Sequence, residues 1–244
     1  AYRVGCGLVH VITAPEQMNM IRTQLPEAIV ECYPDNENAW KDKIQQADVI
    51  VIGPGIGQGD MARESLEYVL SVKDKPVVMD ADALNLLSEK EEYFSTCDRG
   101  ERKIKLPENF ILTPHLREMS RLSGVALEEI KNHILDSAKQ LLPVNRTGNE
   151  CPVLVLKDAH TLVTDGTRAY INTTGNNGLS TGGTGDVLAG MIGGLLAQGM
   201  KGQEAAELGV CLHGMAADAC VAKNGSRYSL MASDLLDTLP EILP

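Results

Sequence analysis

The chain has 244 residues, 43% of them hydrophobic and 23% charged, and its formal net charge at pH 7 is −11. This composition is typical of a globular protein with a sizeable core, and the acidic balance argues against a nucleic-acid-binding surface. The longest apolar run, 187–197, is too short to span a bilayer, so we expect no membrane partner. The six cysteines form no C-x-x-C pair, which predicts reduced core residues in a cytoplasmic protein.

Strand and helix patterns alternate along the chain. Candidate strands lie at 8–13, 29–33, 47–53, 109–115 and 152–159, with a further strand at the start of 76–84 and a hairpin at 161–171. Candidate helices lie at 61–72, 84–89, 115–122, 126–142, 186–198, 203–222 and 233–239, and the charged segment 89–109 is expected to be an irregular excursion.

This alternation predicts a single α/β domain over 1–244, with a central, mostly parallel sheet and helices on both faces. The first candidate strand follows almost directly on Ala1–Val4, so we expect a segment upstream of this domain.

A polar, glycine-rich loop runs into an apolar helix at 172–197, and Asp186 lies at the junction. Six glycines surround this acid, at positions 175, 178, 182, 183, 185 and 190. Free N–H groups at a helix N-terminus favour an anion. We therefore favour a phosphate-binding loop with a reactive acid over the alternative, in which Asp186 is only the N-cap of the helix.

Further polar loops follow the candidate strands, where ligands gather in parallel sheets. GPGIG (53–57) is either a ligand-binding turn or simply a tight turn between strand and helix. Lys157 ends a buried strand and could neutralise phosphate charge, or it could merely extend to solvent. His115 could bind a ligand or donate a proton, or it could cap a helix together with Glu118.

The remaining polar candidates are two acids with an amide, and two residues of an apolar helix. Asp80, Asp82 and Asn85 could hold a hydroxyl group or a metal-bound water, or could cap the following helix. His213 and Asp218 lie in an apolar segment, where a core histidine is the favoured interpretation. No nucleophilic Ser or Cys has its own histidine, so the pattern favours phosphoryl transfer to a hydroxyl group with Asp186 as the base.

The order and spacing of these motifs resemble the ADP/ATP-dependent NAD(P)H-hydrate dehydratases, a branch of the ribokinase-like superfamily. The resemblance covers nearly the whole chain. It rests on GCGLV (5–9), IGPGIG (52–57), DADALN (80–85), ILTPH with Glu118, VLVLK with Thr161, GGTGDVLAGMIGGLLAQG (182–199) and HGMAAD (213–218). It implies a three-layer sandwich and a repair reaction, in which ADP or ATP phosphorylates the ring hydroxyl of hydrated NAD(P)H and elimination of phosphate restores NAD(P)H.

The resemblance also implies roles for individual residues. Asp186 would be the catalytic base, and Gly183 and Gly185 would form the anion hole. His115, Gly57 and Asn85 would hold the hydrated dinucleotide, together with Asp186. Besides Gly185, the nucleotide would be lined by Lys157, Asp158, Ala159, His160 and Thr161. Mg²⁺ would accompany the phosphates, with no ligand set predicted from the protein.

Some positions depart from the family pattern. Leu116 and Arg117 stand where proline and glycine are usual, Asp158 replaces a glycine near the nucleotide phosphates, and Asn177 replaces a proline or glycine. The family also has a strand and a glycine-rich segment upstream of GCGLV. A homo-oligomer and an epimerase domain or partner are expected from the resemblance.

Two other functions remain open at this point. One is a ribokinase-like kinase of a small alcohol, such as a sugar or a vitamin precursor. The other is a non-catalytic nucleotide-binding module. The choice between ADP and ATP depends on room beyond the terminal phosphate, which the sequence leaves open.

Overall fold

The computed structural model describes residues 1–33, 39–96, 100–142 and 151–243. The strands are β1 (His10–Thr13), β2 (Ile29–Cys32), β3 (Ile50–Ile52), β4 (Val77–Met79), β5 (Phe94–Thr96), β6 (Arg102–Ile104), β7 (Phe110–Leu112), β8 (Val153–Leu156), β9 (Leu162–Thr164) and β10 (Ala169–Ile171). The helices are α1 (Pro15–Gln24), α2 (Ala39–Gln46), α3 (Asp60–Ser71), α4 (Ala81–Ser88), α5 (Leu116–Ser123), α6 (Leu127–Asn132), α7 (Ile134–Leu141), α8 (Thr184–Ala197), α9 (Gly202–Asn224) and α10 (Ala232–Ile242).

A six-stranded sheet in the order β10-β9-β8-β7-β4-β3 forms the centre of the molecule. Strands β3, β4, β7 and β8 are mutually parallel, and β9 and β10 continue the sheet as an antiparallel hairpin. Because parallel strands end at the same edge, the loops after these four strands meet there. The predicted α/β fold with a mostly parallel sheet is thus confirmed.

Both faces of the sheet are covered, as the continuous apolar strands predict. In β4, Val77 and Met79 face one core together with residues of α2 to α7, whereas Val78 faces a second core formed mainly by α8, α9 and α10. Since successive residues of a strand point to opposite faces, β4, β7, β8 and β9 each contribute to both cores. The result is a three-layer sandwich.

Glycines let α8 pack closely against its neighbours. A Cβ on Gly193 would lie 2.5 Å from Val51 Cγ2 of β3, and one on Gly209 of α9 would lie 2.8 Å from Ile192 Cγ1. Real side chains do not tolerate such separations without movement. The absence of side chains at these positions therefore sets how close α8 lies to the sheet and to α9.

Strands β1 and β2 form a separate parallel pair beside the β3 edge of the central sheet. A cavity of about 460 Å³ lies between β1 and the β3 edge of the central sheet, and its lining includes Leu8, His10, Val49, Val51 and Gly193. It faces the segments that lead into β1 and β3, so it lies apart from the loops after the parallel strands.

Three predictions about secondary structure need correction. The described part of 89–109 is not irregular, since it contains the antiparallel pair β5–β6, in which the Arg102 guanidinium lies 3.7 Å from the Phe94 ring centroid. The predicted helix 126–142 is divided into α6 and α7 at His133, whose backbone is not helical (φ −138, ψ 51). Helices α1 and α2 were not predicted, and α1 buries none of its residues, so it lacks the apolar stripe that would indicate a helix.

Two predictions from composition can be compared with the structure. None of the described cysteines forms a disulfide, and Cys151 and Cys220 are buried as expected, whereas those at 6, 32 and 211 are partly exposed. Cys97 lies outside the described residues. Within the described part of the chain, α9 is the one helix long and apolar enough to cross a membrane, and more than half of its apolar window is buried inside the protein.

Candidate functional site

The loops after β3, β4, β7 and β8 converge at the carboxyl edge of the sheet, as predicted. The Gly57 N–H donates to Asp82 Oδ2 at 3.0 Å, which joins the loop after β3 to the first turn of α4. The Lys157 N–H donates to the Pro114 carbonyl at 2.8 Å, so Lys157 and His115 lie side by side. These contacts bring together segments far apart in the sequence.

A buried ion pair lies at the centre of this edge. Lys157 Nζ is 2.6 Å from Asp80 Oδ1, and the two side chains are 21% and 2% exposed. Asp80 occupies the N-cap position of α4 but makes no capping bond with its side chain, so its predicted alternative role as a cap is wrong. Lys157 does not simply extend to solvent, because this carboxylate holds it inside the site.

The backbone around Asp80 is constrained on both sides. Ala81 has φ +49, a left-handed conformation that costs a non-glycine residue free energy. Gly53 approaches the Asp80 carbonyl so closely that a Cβ there would overlap the carbonyl oxygen. This glycine of the GPGIG turn therefore packs against the chain's own backbone, whereas Gly57 in the same turn is exposed.

The first turn of α8 lies directly over the ion pair. A Cβ on Gly185 would lie 3.3 Å from Lys157 Nζ and 3.6 Å from Asp80 Oδ2. The N-cap of α8 is Gly183, with φ +87, so the alternative interpretation of Asp186 as the N-cap is wrong. Asp186 lies in the first turn, is exposed, and makes no side-chain hydrogen bond within the described part of the chain.

Free backbone donors surround this acid. In the described residues, the N–H groups of Gly182, Gly183, Gly185 and Asp186 have no backbone hydrogen-bond partner. Together with the helix dipole and the Lys157 ammonium, they form a candidate anion-binding site of the kind expected at a helix N-terminus. Only part of the glycine cluster serves it, because Gly175 packs against Gly214 and Gly178 against the Arg227 carbonyl.

The pKa of Asp186 is raised above its usual value. Partial burial of the carboxyl group is the largest cause, the negative charge of Asp80 adds to it, and the Lys157 ammonium opposes both. A carboxylate with a raised pKa is a stronger base than a free aspartate, and an exposed one can reach a substrate. The environment of Asp186 therefore suits proton abstraction.

His115 and Glu118 form a capping box at the start of α5. The N–H groups of Arg117 and Glu118 donate to His115 Nδ1, and the His115 N–H donates to Glu118 Oε2 at 2.8 Å. This confirms the predicted capping arrangement, although the His115 side chain remains half exposed beside Lys157. Burial raises the pKa of Glu118, while the bond from His115 and the charge of Lys157 lower it.

The other predicted residues lie around this centre. Asp158, Ala159 and His160 are exposed in the turn after Lys157, and the Thr161 carbonyl accepts from the Asn172 N–H. Asn85 Oδ1 accepts from Arg121 Nη1 at 2.7 Å, which turns this oxygen toward α5. Among the described residues no hydrogen bond joins Asn85 or Gly57 directly to Lys157 or Asp186.

Sequence reasoning missed how the glycine-rich loop is held. Asp218 accepts hydrogen bonds from the Gly175 N–H at 2.8 Å and from Asn176 Nδ2 at 2.9 Å. His213 is buried, as predicted, but its Nε2 also lies 2.9 Å from the Thr184 carbonyl. The HGMAAD motif was visible in the sequence, and its histidine and aspartate at i and i+5 were the available signal.

The described residues include no group of three or more His, Cys, Asp or Glu side chains that could hold a metal ion. Mg²⁺ commonly binds through one or two carboxylates together with substrate phosphates. The carboxylates of Asp80 and Asp186 beside an anion-binding helix N-terminus fit that kind of site better than an all-protein one.

Comparisons with known proteins show which family the chain resembles. A family model described as NAD(P)H-hydrate dehydratase matches residues 1–241. The bifunctional NAD(P)H-hydrate repair enzyme of Coxiella burnetii is 40% identical over 240 residues, which cover 98% of this chain and 45% of that protein. The ADP-dependent (S)-NAD(P)H-hydrate dehydratase of Neisseria meningitidis is 36% identical, with 96% of this chain and 75% of that protein covered. The chain thus spans about half the length of its bifunctional relatives.

Solved structures share the fold. The ADP/ATP-dependent NAD(P)H-hydrate dehydratase of Bacillus subtilis, co-crystallised with ATP and Mg²⁺, matches with a TM-score of 0.76 and 31% identity, over 99% of this chain and 80% of that one. A ribokinase-like superfamily protein of Enterococcus faecalis matches with a TM-score of 0.80 and 29% identity, over 98% of this chain and 78% of that one. The predicted ribokinase-like fold is confirmed.

Proposed function

Because the chain belongs to the NAD(P)H-hydrate dehydratase family, we propose that it converts hydrated NADH and NADPH back to NAD(P)H with ADP or ATP as phosphoryl donor. The observation that carries this proposal is the position of Asp186. It is an exposed acid with a raised pKa, in a helix turn whose free N–H groups adjoin the Lys157 ammonium.

The first step would be phosphorylation of the hydroxyl group on the hydrated ring. Asp186 takes the hydroxyl proton while that oxygen forms a bond to the terminal phosphorus, and the bond from this phosphorus to the departing nucleotide breaks. The N–H groups of Gly183 and Gly185 and the Lys157 ammonium stabilise the negative charge on the transferred group. A hydroxyl attack of this kind needs a base within reach, which Asp186 supplies.

The second step would eliminate phosphate from the ring. The carbon–oxygen bond breaks with its electron pair on the phosphate, a neighbouring ring carbon loses a proton to water, and the electron pair of that carbon–hydrogen bond restores the double bond of the reduced nicotinamide. Phosphate is a far better leaving group than hydroxide, so phosphorylation makes the elimination feasible. His115, exposed beside Lys157, would hold the dinucleotide with Gly57 and Asn85, and the segment from Lys157 to Thr161 would line the nucleotide.

Mg²⁺ would accompany the nucleotide phosphates and neutralise part of their charge. The chain's own residues fit such an ion through the Asp80 and Asp186 carboxylates at the edge of the anion site. Asp158 is exposed in the turn after Lys157, so its charge can remain in solvent.

The test is an absorbance assay with hydrated NADH and either nucleotide, comparing the wild-type chain with Asp186→Asn. We expect the reduced-nicotinamide band to recover with wild type, and the rate to fall about 10²–10⁴-fold in the variant while nucleotide binding persists. Full activity of Asp186→Asn would exclude it as the base. Phosphorylation of a small alcohol with no recovery of NADH would instead support a ribokinase-like kinase.

We further propose that residues 1–244 act as one domain, in a cytoplasmic homo-oligomer that works with an NAD(P)H-hydrate epimerase domain or partner. Support for the further domain or partner comes from the bifunctional repair enzyme of Coxiella burnetii, of which this chain matches 45%. Light scattering of the purified chain would test the oligomeric state.

A further inference from the structure

The glycine-rich loop that leads into Asp186 is held at both ends by one helix, α9. At its start, the two oxygens of Asp218 accept from the Gly175 N–H and from the Asn176 side-chain amide. At its end, His213 Nε2 bonds to the carbonyl of Thr184, two residues before Asp186. These contacts bracket the segment 174–184, which contains two of the four free donors of the anion site, the N–H groups of Gly182 and Gly183.

The chemistry of each contact is directional. A carbonyl oxygen only accepts, so His213 must be the tautomer with its proton on Nε2. Burial lowers the pKa of His213 to about 4, so the ring is neutral at neutral pH and holds this tautomer. The Asp218 bonds are charge-assisted, a stronger type than bonds between neutral groups.

Between these two contacts, the backbone of the loop at Thr174 lies close to the backbone of α9. Thr174 Oγ1 donates to the Cys211 carbonyl at 3.0 Å, and a Cβ on Gly214 would lie 2.6 Å from the Thr174 carbonyl carbon. The loop thus lies directly on the backbone of α9, at the one residue of HGMAAD that has no side chain. Three residues of the motif, His213, Gly214 and Asp218, therefore contact the loop.

We propose that Asp218 and His213 are positioning residues, which hold the 174–184 segment so that the anion-site N–H groups and Asp186 face the nucleotide in one arrangement. Neither side chain touches the reacting atoms, so they act through the loop. The catalytic consequence rests on the proposed function. Because Asp218 is exposed, its loss should loosen the loop without opening the core.

The experiment uses two pairs of matched variants in the full chain. Asp218→Asn removes the charge and turns an amide N–H toward a donor, whereas Glu204→Gln makes the same charge change at an exposed site on the first turn of α9. His213→Phe removes the N–H donor, whereas His213→Gln keeps a donor close to the original position. Each variant is measured for kcat, for ADP affinity by calorimetry, and for hydrogen exchange of peptides covering 172–184.

We expect Asp218→Asn and His213→Phe to speed exchange in 172–184 and to lower kcat about 10- to 100-fold, since displacements near 1 Å cost rates of this order. ADP affinity should fall with them, and His213→Gln should recover most of the kcat lost in His213→Phe. Glu204→Gln should match wild type in every readout.

The inference is overturned if Asp218→Asn matches Glu204→Gln in kcat and ADP affinity within about twofold, because a purely structural bond would leave both unchanged. Asp218→Asn decides the question even if His213→Phe fails to fold, because Asp218 is exposed. Failure of the proposed function has a different signature, since the wild-type chain would then restore no NADH.

Discussion

Breaking the buried ion pair Asp80–Lys157 should lower the free energy of unfolding, and the loss should depend on which partner is removed, because Asp80 is more deeply buried than Lys157. Lys157→Met keeps the shape of the side chain but leaves the Asp80 carboxylate, only 2% exposed, without its counter-charge. Breaking a buried pair in this way costs about 3–5 kcal/mol, and we expect about 3 kcal/mol because Lys157 itself is 21% exposed. Asp80→Asn should cost less, about 1 kcal/mol, because the freed ammonium can turn to water.

Urea unfolding at pH 7 of both single variants and of the double variant measures these costs. The double variant should be more stable than Lys157→Met, because removing the carboxylate charge relieves the unpaired group. Lys131→Met, which breaks an exposed pair with Glu128, is the control and should change stability by less than about 0.5 kcal/mol. An Asp80→Asn variant less stable than Lys157→Met, or strictly additive costs, would refute the reasoning.

Two further predictions concern α9. Since the pKa of His213 is about 4 in the folded chain and 6.5 for a histidine free of these contacts, the unfolded chain binds the extra proton between these values. The contribution of neutral His213 to the free energy of unfolding should therefore be fully present above pH 6.5, and the free energy should fall by up to about 3 kcal/mol toward pH 4. Urea midpoints measured across this range should fall less in His213→Gln. Gly214→Ala should destabilise by about 2 kcal/mol in thermal or urea unfolding, because its methyl group would overlap the Thr174 backbone, whereas Gly202→Ala on the same helix, with ordinary contacts at 3.5 Å, should be neutral. Equal midpoints for the two glycine variants would show that the loop can move aside.

The parts of the fold that the sequence predicted are those with a strong local pattern. The strand at 152–159 was visible because both faces of β8 are buried, so its residues are continuously apolar. The strand at 47–53 has the same continuous apolar pattern, although Val51 on one face of β3 is 41% exposed. Helix α1 buries nothing, and the break at His133 has neither glycine nor proline to mark it. Local patterns of this kind are absent where an element is exposed or is divided by tertiary contacts.

The candidate site was predicted in outline because parallel strands bring their loops to one edge. Which side chains pair there was not predictable from spacing. Asp80 and Lys157 are separated by 77 positions and by strand β7 between their own strands, so their ion pair depends on the assembled sheet. The start of α8 was predicted two residues too late, at 186, because the N-cap is the left-handed Gly183 and the helix begins at Thr184.

The end of helix α8 that carries Asp186 is positioned by a packing contact elsewhere on the same helix. Gly193 lies seven residues from Asp186, about 10 Å along the helix axis, and there α8 rests almost directly on Val51 of β3. A helix is stiff over this distance, so a side chain added at Gly193 would tilt α8 and displace Asp186 at its N-terminus. The position of the proposed base thus depends on the contact between the Gly193 backbone and the Val51 side chain, two helical turns away. A single methyl group added there would affect catalysis without touching the substrate.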